Sequence, residues 1–277
     1  MNKIISKRKL SEGIYRYTFE NKELAIARKP GQFLILRVHD KGERIPLTIM
    51  DSDSEKGTVD IIFQAVGKTT NLLSDLNEGD RILDVAGPLG NPTLIENFGR
   101  CVAIGGGVGT AVLFPVLKAL KEAGNYVIAI IGARDKDTLI LIDEVKAISD
   151  ELVITTDDGS AGTKGFVTDA LNQLIGRDDK IDYVYAVGPV VMMKNTAVLT
   201  KEHNIKTEVS LNPIMVDGTG MCGSCRCMVD GKERFACIHG PDFDGHKVDF
   251  NLLTQRLKMF EGREQESMSC GCEKKEE

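Results

Sequence analysis

The ten residues Val102–Ala111, VAIGGGVGTA, set the architecture of this chain. A short apolar run ends in Gly105, Gly106, Gly107 and Gly109, and Thr110 then opens a helical pattern. Glycines at a strand-to-helix turn let the backbone approach a diphosphate, and the free N–H groups of a helix start attract an anion. The run departs from strict G-x-G-x-x-G, and a tight turn without a ligand would use the same residues. Its surroundings favour the ligand. Cys101–Ile104, Val127–Ile131, Leu152–Thr155 and Tyr183–Val187 read as strands. Ala111–Glu122, Leu139–Lys146, Val167–Ile175 and Val190–Glu202 read as helices between them. This alternation predicts a central doubly wound parallel α/β domain, closed by a last strand at Lys206–Val209.

Two more loops follow predicted strands, where open α/β sheets bind ligands. Residues 155–165 read TTDDGSAGTKG and residues 187–193 read VGPVVMM. Asp157 and Asp158 can accept hydrogen bonds from ribose hydroxyls or close a solvated Asx turn. Arg134 and Lys136 follow the second strand and can meet a 2′-phosphate, so spacing leaves NAD and NADP both open.

Upstream the rhythm differs. Ile14–Phe19, Phe33–Val38, Ile45–Ile49, Val59–Phe63 and Ile82–Val85 are short runs separated by turn residues, which predicts a small antiparallel β-barrel. Asn71–Leu76 reads as one helical turn inside it. In Arg44-Ile45-Pro46-Leu47-Thr48 an arginine can clamp a diphosphate and a hydroxyl can reach a ring heteroatom. Gly67-Lys68-Thr69-Thr70 offers a second set of phosphate donors. Each also reads as an ordinary turn.

Downstream lies Asp217-x4-Cys222-x2-Cys225-x11-Cys237. Bunched thiolates on a Gly-rich loop hold soft metals, and C-x4-C-x2-C is the plant-type [2Fe–2S] spacing, here with aspartate in the first place. A zinc site of Cys222, Cys225, Cys237 and His239 is the rival. Cys227 can replace Asp217 as fourth ligand or be a buried thiol. Cys101 stands alone, and Cys270 and Cys272 in the charged tail read as incidental. Phe250–Met259 is an amphipathic helix candidate, and Glu261–Glu277 is expected to fray. Seven cysteines behind an N-terminus without an apolar leader point to metal or redox chemistry in a cytoplasmic protein, rather than to disulfides.

Charge narrows the partners. Lys and Arg number 35 against 41 Asp and Glu, a net −6, which argues against nucleic acid and acidic lipid. No apolar run approaches the roughly 20 residues of a membrane span. With 42% hydrophobic and 27% charged residues, wholesale disorder is excluded.

RIPLT, GKTT, IGGGVGTA, TTDDGS, GP and the clustered cysteines, in this order, resemble the ferredoxin reductase-like electron-transfer flavoproteins. Within them the chain is similar to the dihydroorotate dehydrogenase electron-transfer subunit. It is also similar to the small (alpha) subunit of NADH-dependent ferredoxin–NADP⁺ oxidoreductase, also called sulfide dehydrogenase beta subunit. The resemblance covers about residues 1–250. It implies an FAD-binding β-barrel over 1–98, an NAD-binding α/β domain over 99–210, a small C-terminal [2Fe–2S] lobe over 211–250, and a helix and polar tail over 251–277. The implied flavin contacts are Arg44, Pro46, Leu47, Thr48, Ile62, Phe63, Gln64, Thr69 and Thr70. The implied NAD(H) contacts are Gly106, Gly107, Gly109, Thr110, Asp157, Asp158, Gly188 and Pro189. Asp217, Cys222, Cys225 and Cys237 are the implied cluster ligands. The dihydroorotate subunit has four cysteines there, so Asp217 points toward the NADH-dependent ferredoxin–NADP⁺ enzyme.

The implied function is exchange of a hydride between NAD(H) and FAD, then relay of single electrons through the cluster to a larger flavin and iron–sulfur subunit. Such a heterodimer would perform electron bifurcation at the partner's flavin and reach ferredoxin and NADP(H) through the partner. No Ser–His–Asp set is needed, and none is evident. Three rivals remain: a dihydroorotate dehydrogenase subunit, a stand-alone NAD(P)H reductase of ferredoxin or sulfur compounds, and a zinc-stapled nucleotide-binding module.

Overall fold

The first ninety positions form seven strands, most of them on alternating apolar residues: β1 (Ile4–Ser11), β2 (Ile14–Glu20), β3 (Phe33–Arg37), β4 (Ile45–Thr48), β5 (Asp51–Asp53), β6 (Thr58–Gln64) and β7 (Asp84–Leu89). The computed structural model describes residues 1–177 and 179–270. Two antiparallel sheets, in the orders β1-β2-β6-β5 and β4-β3-β7, enclose one core. Leu34 and Leu36 of β3 meet Ile61 and Phe63 of β6 there, as the period of two requires. Two helices accompany them, α1 (Lys22–Ala27) and α2 (Lys68–Asp75). The Tyr17 hydroxyl donates to the carbonyls of Leu73 and Leu76 and so pins the end of α2 to the barrel.

The second unit contains β8 (Arg100–Gly106), α3 (Gly109–Glu122), β9 (Tyr126–Ala133), α4 (Ile142–Ala147), β10 (Glu151–Thr156), β11 (Thr163–Lys164), α5 (Val167–Ile175), β12 (Tyr183–Val187), α6 (Val190–Glu202) and β13 (Lys206–Ser210). Side-chain parity explains why helices cover both faces of its sheet. Cys101 and Ala103 of β8, Val127 and Ala129 of β9, and Tyr183 and Tyr185 of β12 pack toward α3 and α4. Their neighbours Val102, Ile104, Ile128, Ile130, Val184 and Ala186 pack toward α5 and α6. Strands buried on both sides read as continuous apolar runs, which is what parallel sheets need.

The last part holds β14 (Arg226–Val229), β15 (Lys232–Phe235), α7 (Ala236–His239), β16 (Asp242–Asp244), α8 (Phe250–Leu257) and α9 (Glu261–Cys270). The large sheet runs β11-β10-β9-β8-β12-β13-β16. The chain moves outward from β8 to β9 and β10, then returns to the other side at β12. The crevice between the ends of β8 and β12 is therefore the topological switch point.

Four expectations need correction. β13 does not end the sheet, because β16 from the C-terminal lobe pairs antiparallel with it, Ser210 opposite Asp242. The strand expected at Ile82–Val85 is β7, displaced to Asp84–Leu89; Ile82 is a core residue just ahead of it. The single turn at Asn71–Leu76 is a helix of 8 residues that begins at Lys68. The polar segment expected to fray from Glu261 is helical through Cys270 and packs on α2. Residues 271–277, and Cys272 with them, lie outside the described residues. Among the described residues no helix is long and apolar enough to cross a membrane.

Candidate cofactor sites

The start of α3 is wedged against the end of β12. A Cβ on Gly109 would stand 2.7 Å from the Val187 carbonyl oxygen and 2.9 Å from the Gly188 Cα. A Cβ on Gly106 would meet Met192 Sδ at 2.6 Å and Pro189 Cδ at 3.0 Å. Only glycine lets these two loops touch, and their contact opens a cavity on either side.

The first cavity, about 490 Å³, lies between barrel and sheet. Pro46, Leu47 and Thr48 of β4, Ile62, Phe63 and Gln64 of β6, and Thr70 of α2 form one wall. Gly106, Gly107, Gly109, Gly188 and Pro189 form the other, and Ser210–Pro213, Met215 and Pro241 close the end. The second cavity, about 550 Å³, is lined by Gly106, Gly107, Arg134, Thr155, Asp157, Phe166, Pro189 and Asn195. Gln64, Gly106, Gly107, Val108 and Pro189 line both, so ligands in the two would meet there. Mostly apolar walls with a few amide and hydroxyl groups suit flat, partly polar rings. The glycine-lined wall at a helix start suits a dinucleotide's phosphates.

Four residues implied for these sites line neither cavity. Arg44 is exposed. The buried Thr69 donates its hydroxyl to Glu43 Oε2 at 3.0 Å. Thr110 lies behind the glycines, buried, its hydroxyl without a hydrogen-bond partner among the described residues. Asp158 accepts the Ser160 N–H at 2.9 Å, a turn whose bonds hold its carboxyl below the ordinary range. Thr70 lines the first cavity, and its hydroxyl also accepts the N–H groups of Val66 and Gly67. The sequence reading missed Gly31, Phe33 and, in the segment leaving β13, Ser210–Pro213 and Met215. That segment follows β13 at its carboxyl end, and the same rule that singled out the other loops applies to it.

The cysteine loop begins two residues past Met215. Asp217 turns it: Oδ1 accepts the Thr219 N–H at 2.8 Å and Oδ2 accepts the Cys222 N–H at 2.9 Å. The bond from Thr219 leads in holding that carboxyl below its usual range. Gly218 has φ 74°, and a Cβ there would reach Ile35 and Leu89 at 2.7 Å, so the loop lies directly on β3 and β7. The sulfurs of Cys225 and Cys237 are 3.2 Å apart; burial and the neighbouring Cys225 push the Cys237 thiol up to about 12. Cys222 is exposed, and its thiol, 3.0 Å from Ser224 Oγ, is lowered by that contact.

Cys227 of β14 is buried in the same core cluster as Cys225 and Cys237, but its thiol lies 3.5 Å from the Arg234 carbonyl, and burial raises it to about 11. His239 accepts the Phe235 N–H at Nδ1. Among the described residues no three His, Cys, Asp or Glu side chains close on one point as a preformed metal site. The donors still fit an iron–sulfur cluster: one thiol pair is already together, and a third thiol and the carboxylate stand on a single loop. The fit to zinc is poorer, because Nδ1 of His239 accepts the Phe235 N–H and so leaves the neutral ring's proton on Nε2, the nitrogen a metal would need.

Known proteins carry the same three parts in the same order. The oxidoreductase FAD-binding domain family matches residues 2–93, and the oxidoreductase NAD-binding domain family matches 103–197. The iron–sulfur cluster binding domain of dihydroorotate dehydrogenase B matches 212–249. A dihydroorotate dehydrogenase B (NAD(+)) electron transfer subunit homolog of Thermotoga maritima is 51% identical over 97% of this chain and 94% of its own. The dihydroorotate dehydrogenase B (NAD(+)) electron transfer subunit of Clostridium acetobutylicum is 32% identical over 91% of this chain and 97% of its own. A solved NADH-dependent reduced ferredoxin-NADP oxidoreductase structure, described for flavin-based electron bifurcation, superimposes with a TM-score of 0.93 at 49% identity. It covers 98% of this chain and 97% of that one. The chain thus belongs to the ferredoxin reductase-like family as an electron-transfer subunit, an oxidoreductase with FAD-binding, NAD-binding and iron–sulfur cluster-binding domains.

Proposed function

We propose that this chain is the NAD(H)-linked subunit of an electron-bifurcating NADH-dependent ferredoxin–NADP⁺ oxidoreductase. In that assembly it exchanges electrons with a larger flavin and iron–sulfur subunit. The observation that carries the reading is the shared wall of the two cavities, with the cysteine loop beginning at the far end of the first. Bound FAD supplies conversion between hydride and single-electron transfer, and a bound [2Fe–2S] cluster supplies the one-electron relay. The chain does the placing. Leu47, Ile62 and Phe63 exclude water from the first cavity, and Thr48, Gln64 and Thr70 offer polar contacts. Gly106 and Gly107 keep the passage between the cavities open, while Asp157 and Arg134 face the far end of the second. Asp217, Cys222, Cys225 and Cys237 hold the cluster, and the carboxylate, harder than a thiolate, shifts its potential.

The experiment is an anaerobic absorbance titration of the purified protein with NADH, followed by assay with the co-purified partner. Flavin and cluster bands that both bleach, with NADP⁺-dependent reduction of ferredoxin in the complex, support the proposal. NADH-dependent orotate reduction instead would establish the dihydroorotate reading, which the names of the 32–36% identical relatives favour and Asp217 disfavours. Full turnover without a partner would make the chain a stand-alone reductase, and a colourless protein after reconstitution would leave the zinc module.

A further inference from the structure

One carboxylate joins all three parts of the molecule. Asp242 opens β16 in the C-terminal lobe and receives the Thr93 hydroxyl at Oδ2 and the Tyr185 hydroxyl at Oδ1, the latter at 3.1 Å. Tyr185 is fully buried in β12 of the α/β domain. Thr93 is buried in the segment leaving the barrel, and its N–H donates to the Pro30 carbonyl at 3.0 Å. Gly31, next along, has φ 80°, and a Cβ there would stand 2.0 Å from the Thr93 hydroxyl oxygen, so the barrel turn is shaped to admit that side chain. Backbone bonds flank the carboxylate: Leu211 N–H to the Pro241 carbonyl at 2.9 Å, and Asn91 N–H to the Gly240 carbonyl at 2.6 Å. Gly31, Ser210 and Pro241, which surround this junction, all line the first cavity.

We propose that Asp242 is a positioning residue. By accepting one hydroxyl from the barrel side and one from the sheet, it fixes the cysteine lobe against the flavin-side cavity and so sets the rate of electron passage from flavin to cluster. Hydride exchange, which takes place at the opposite end of that cavity beside Gly106 and Pro189, does not depend on it. The carboxylate suits the task because it accepts two donors at once, and charged acceptors form stronger bonds than neutral ones. An apolar side chain there would take the carboxylate acceptor away from the buried hydroxyls of Thr93 and Tyr185.

The inference rests on the proposed flavin-to-cluster route, and the test separates the two. D242A and T93V are compared with the unaltered protein in stopped-flow mixing with NADH, following flavin and cluster bands separately. Hydrogen exchange at the Leu211 and Phe243 amides, which face across the β13–β16 pairing, is measured with and without cofactors. The expected result is cluster reduction slowed on the order of tenfold to a hundredfold, as for other small misplacements of reacting groups. Flavin reduction stays unchanged, exchange at those amides is faster, and D242N, which keeps one acceptor, recovers part of the rate. Unchanged exchange in both D242A and T93V overturns the proposal, as does an equal slowing of flavin and cluster reduction. An unaltered protein that shows no cluster signal overturns the electron route instead, and the exchange data alone then decide the role of Asp242.

Discussion

Replacing Gly109 with alanine tests the contact that shapes both cavities. The added methyl would stand 2.7 Å from the Val187 carbonyl oxygen and 2.9 Å from the Gly188 Cα, roughly 0.7 Å inside ordinary contact. Both obstacles are backbone, at the end of β12 where Val187 pairs with Gly105 of β8, so neither can swing away as a side chain would. The start of α3 must yield, yet that helix buries Thr110, Ala111, Leu113, Phe114 and Val116 within its first two turns. Overpacking of this kind costs about 1–3 kcal/mol. Displacing a helix start that faces both cavities should also weaken FAD and NADH binding on the order of tenfold, equivalent to about 1.4 kcal/mol. Gly231 supplies the control: its φ is 67° and a Cβ would meet nothing within 4 Å, so G231A carries only backbone strain of about 1–2 kcal/mol. Urea unfolding followed by circular dichroism gives the stability loss, and flavin fluorescence with calorimetric NADH titration gives the affinities. G109A with unaltered affinities, or with losses no different in kind from those of G231A, would refute the reasoning.

Three other outcomes are expected. C225S or C237S should abolish cluster absorbance and the EPR signal of the reduced protein, whereas C227S should keep both and lose about 1 kcal/mol of stability, since its buried thiol meets the Arg234 carbonyl rather than the Cys225–Cys237 pair. R134E should weaken NADPH binding more than NADH binding, because Arg134 lines the second cavity and a reversed charge repels a 2′-phosphate; calorimetry with each nucleotide reads the ratio. Burial raises the Asp242 carboxyl to about 6, outweighing the hydroxyls of Thr93, Ser210 and Tyr185 that pull it down. The folded chain therefore binds the proton more tightly than the unfolded one, and the associated stability is full in acid and lost as pH rises through about 6. The urea midpoint of the unaltered protein should fall relative to D242N between pH 4.5 and 8; parallel curves would remove Asp242 as the source.

Residues with a strong local signature were legible in the sequence. Val167–Ile175, Tyr183–Val187 and Val190–Glu202 appear in the structure within the limits that the apolar runs and turn residues implied. The glycine turn after β8 and the thiols of Cys225 and Cys237 were legible for the same reason. β5, with the sequence DSD, and β16, with DFD, carry no strand pattern, because each is held by a neighbour rather than by its own propensity. The gap between Ile82 and β7 has a similar cause: Ile82 is apolar to fill the core, while the residues that pair with β3 are DVAGPL. Within the sites, Thr69 and Asp158 have the chemistry of ligands but spend it on Glu43 and Ser160. Partner choice of that kind is set by the fold. Phe33 and Met215 have no chemistry to notice, and only their location makes them cavity walls.

The seventh strand of the large sheet bears on how the chain matures. β16 is synthesised some thirty residues after β13, its one neighbour in the sheet among the described residues. Until the ribosome has delivered the cysteine lobe, the nucleotide-binding sheet keeps one border of unpaired N–H and C=O groups, a template for wrong partners. Closing that border therefore waits for the lobe made after the cysteine loop, when Asp242 comes to lie opposite Ser210. A nascent chain stalled before Asp242 leaves the border open.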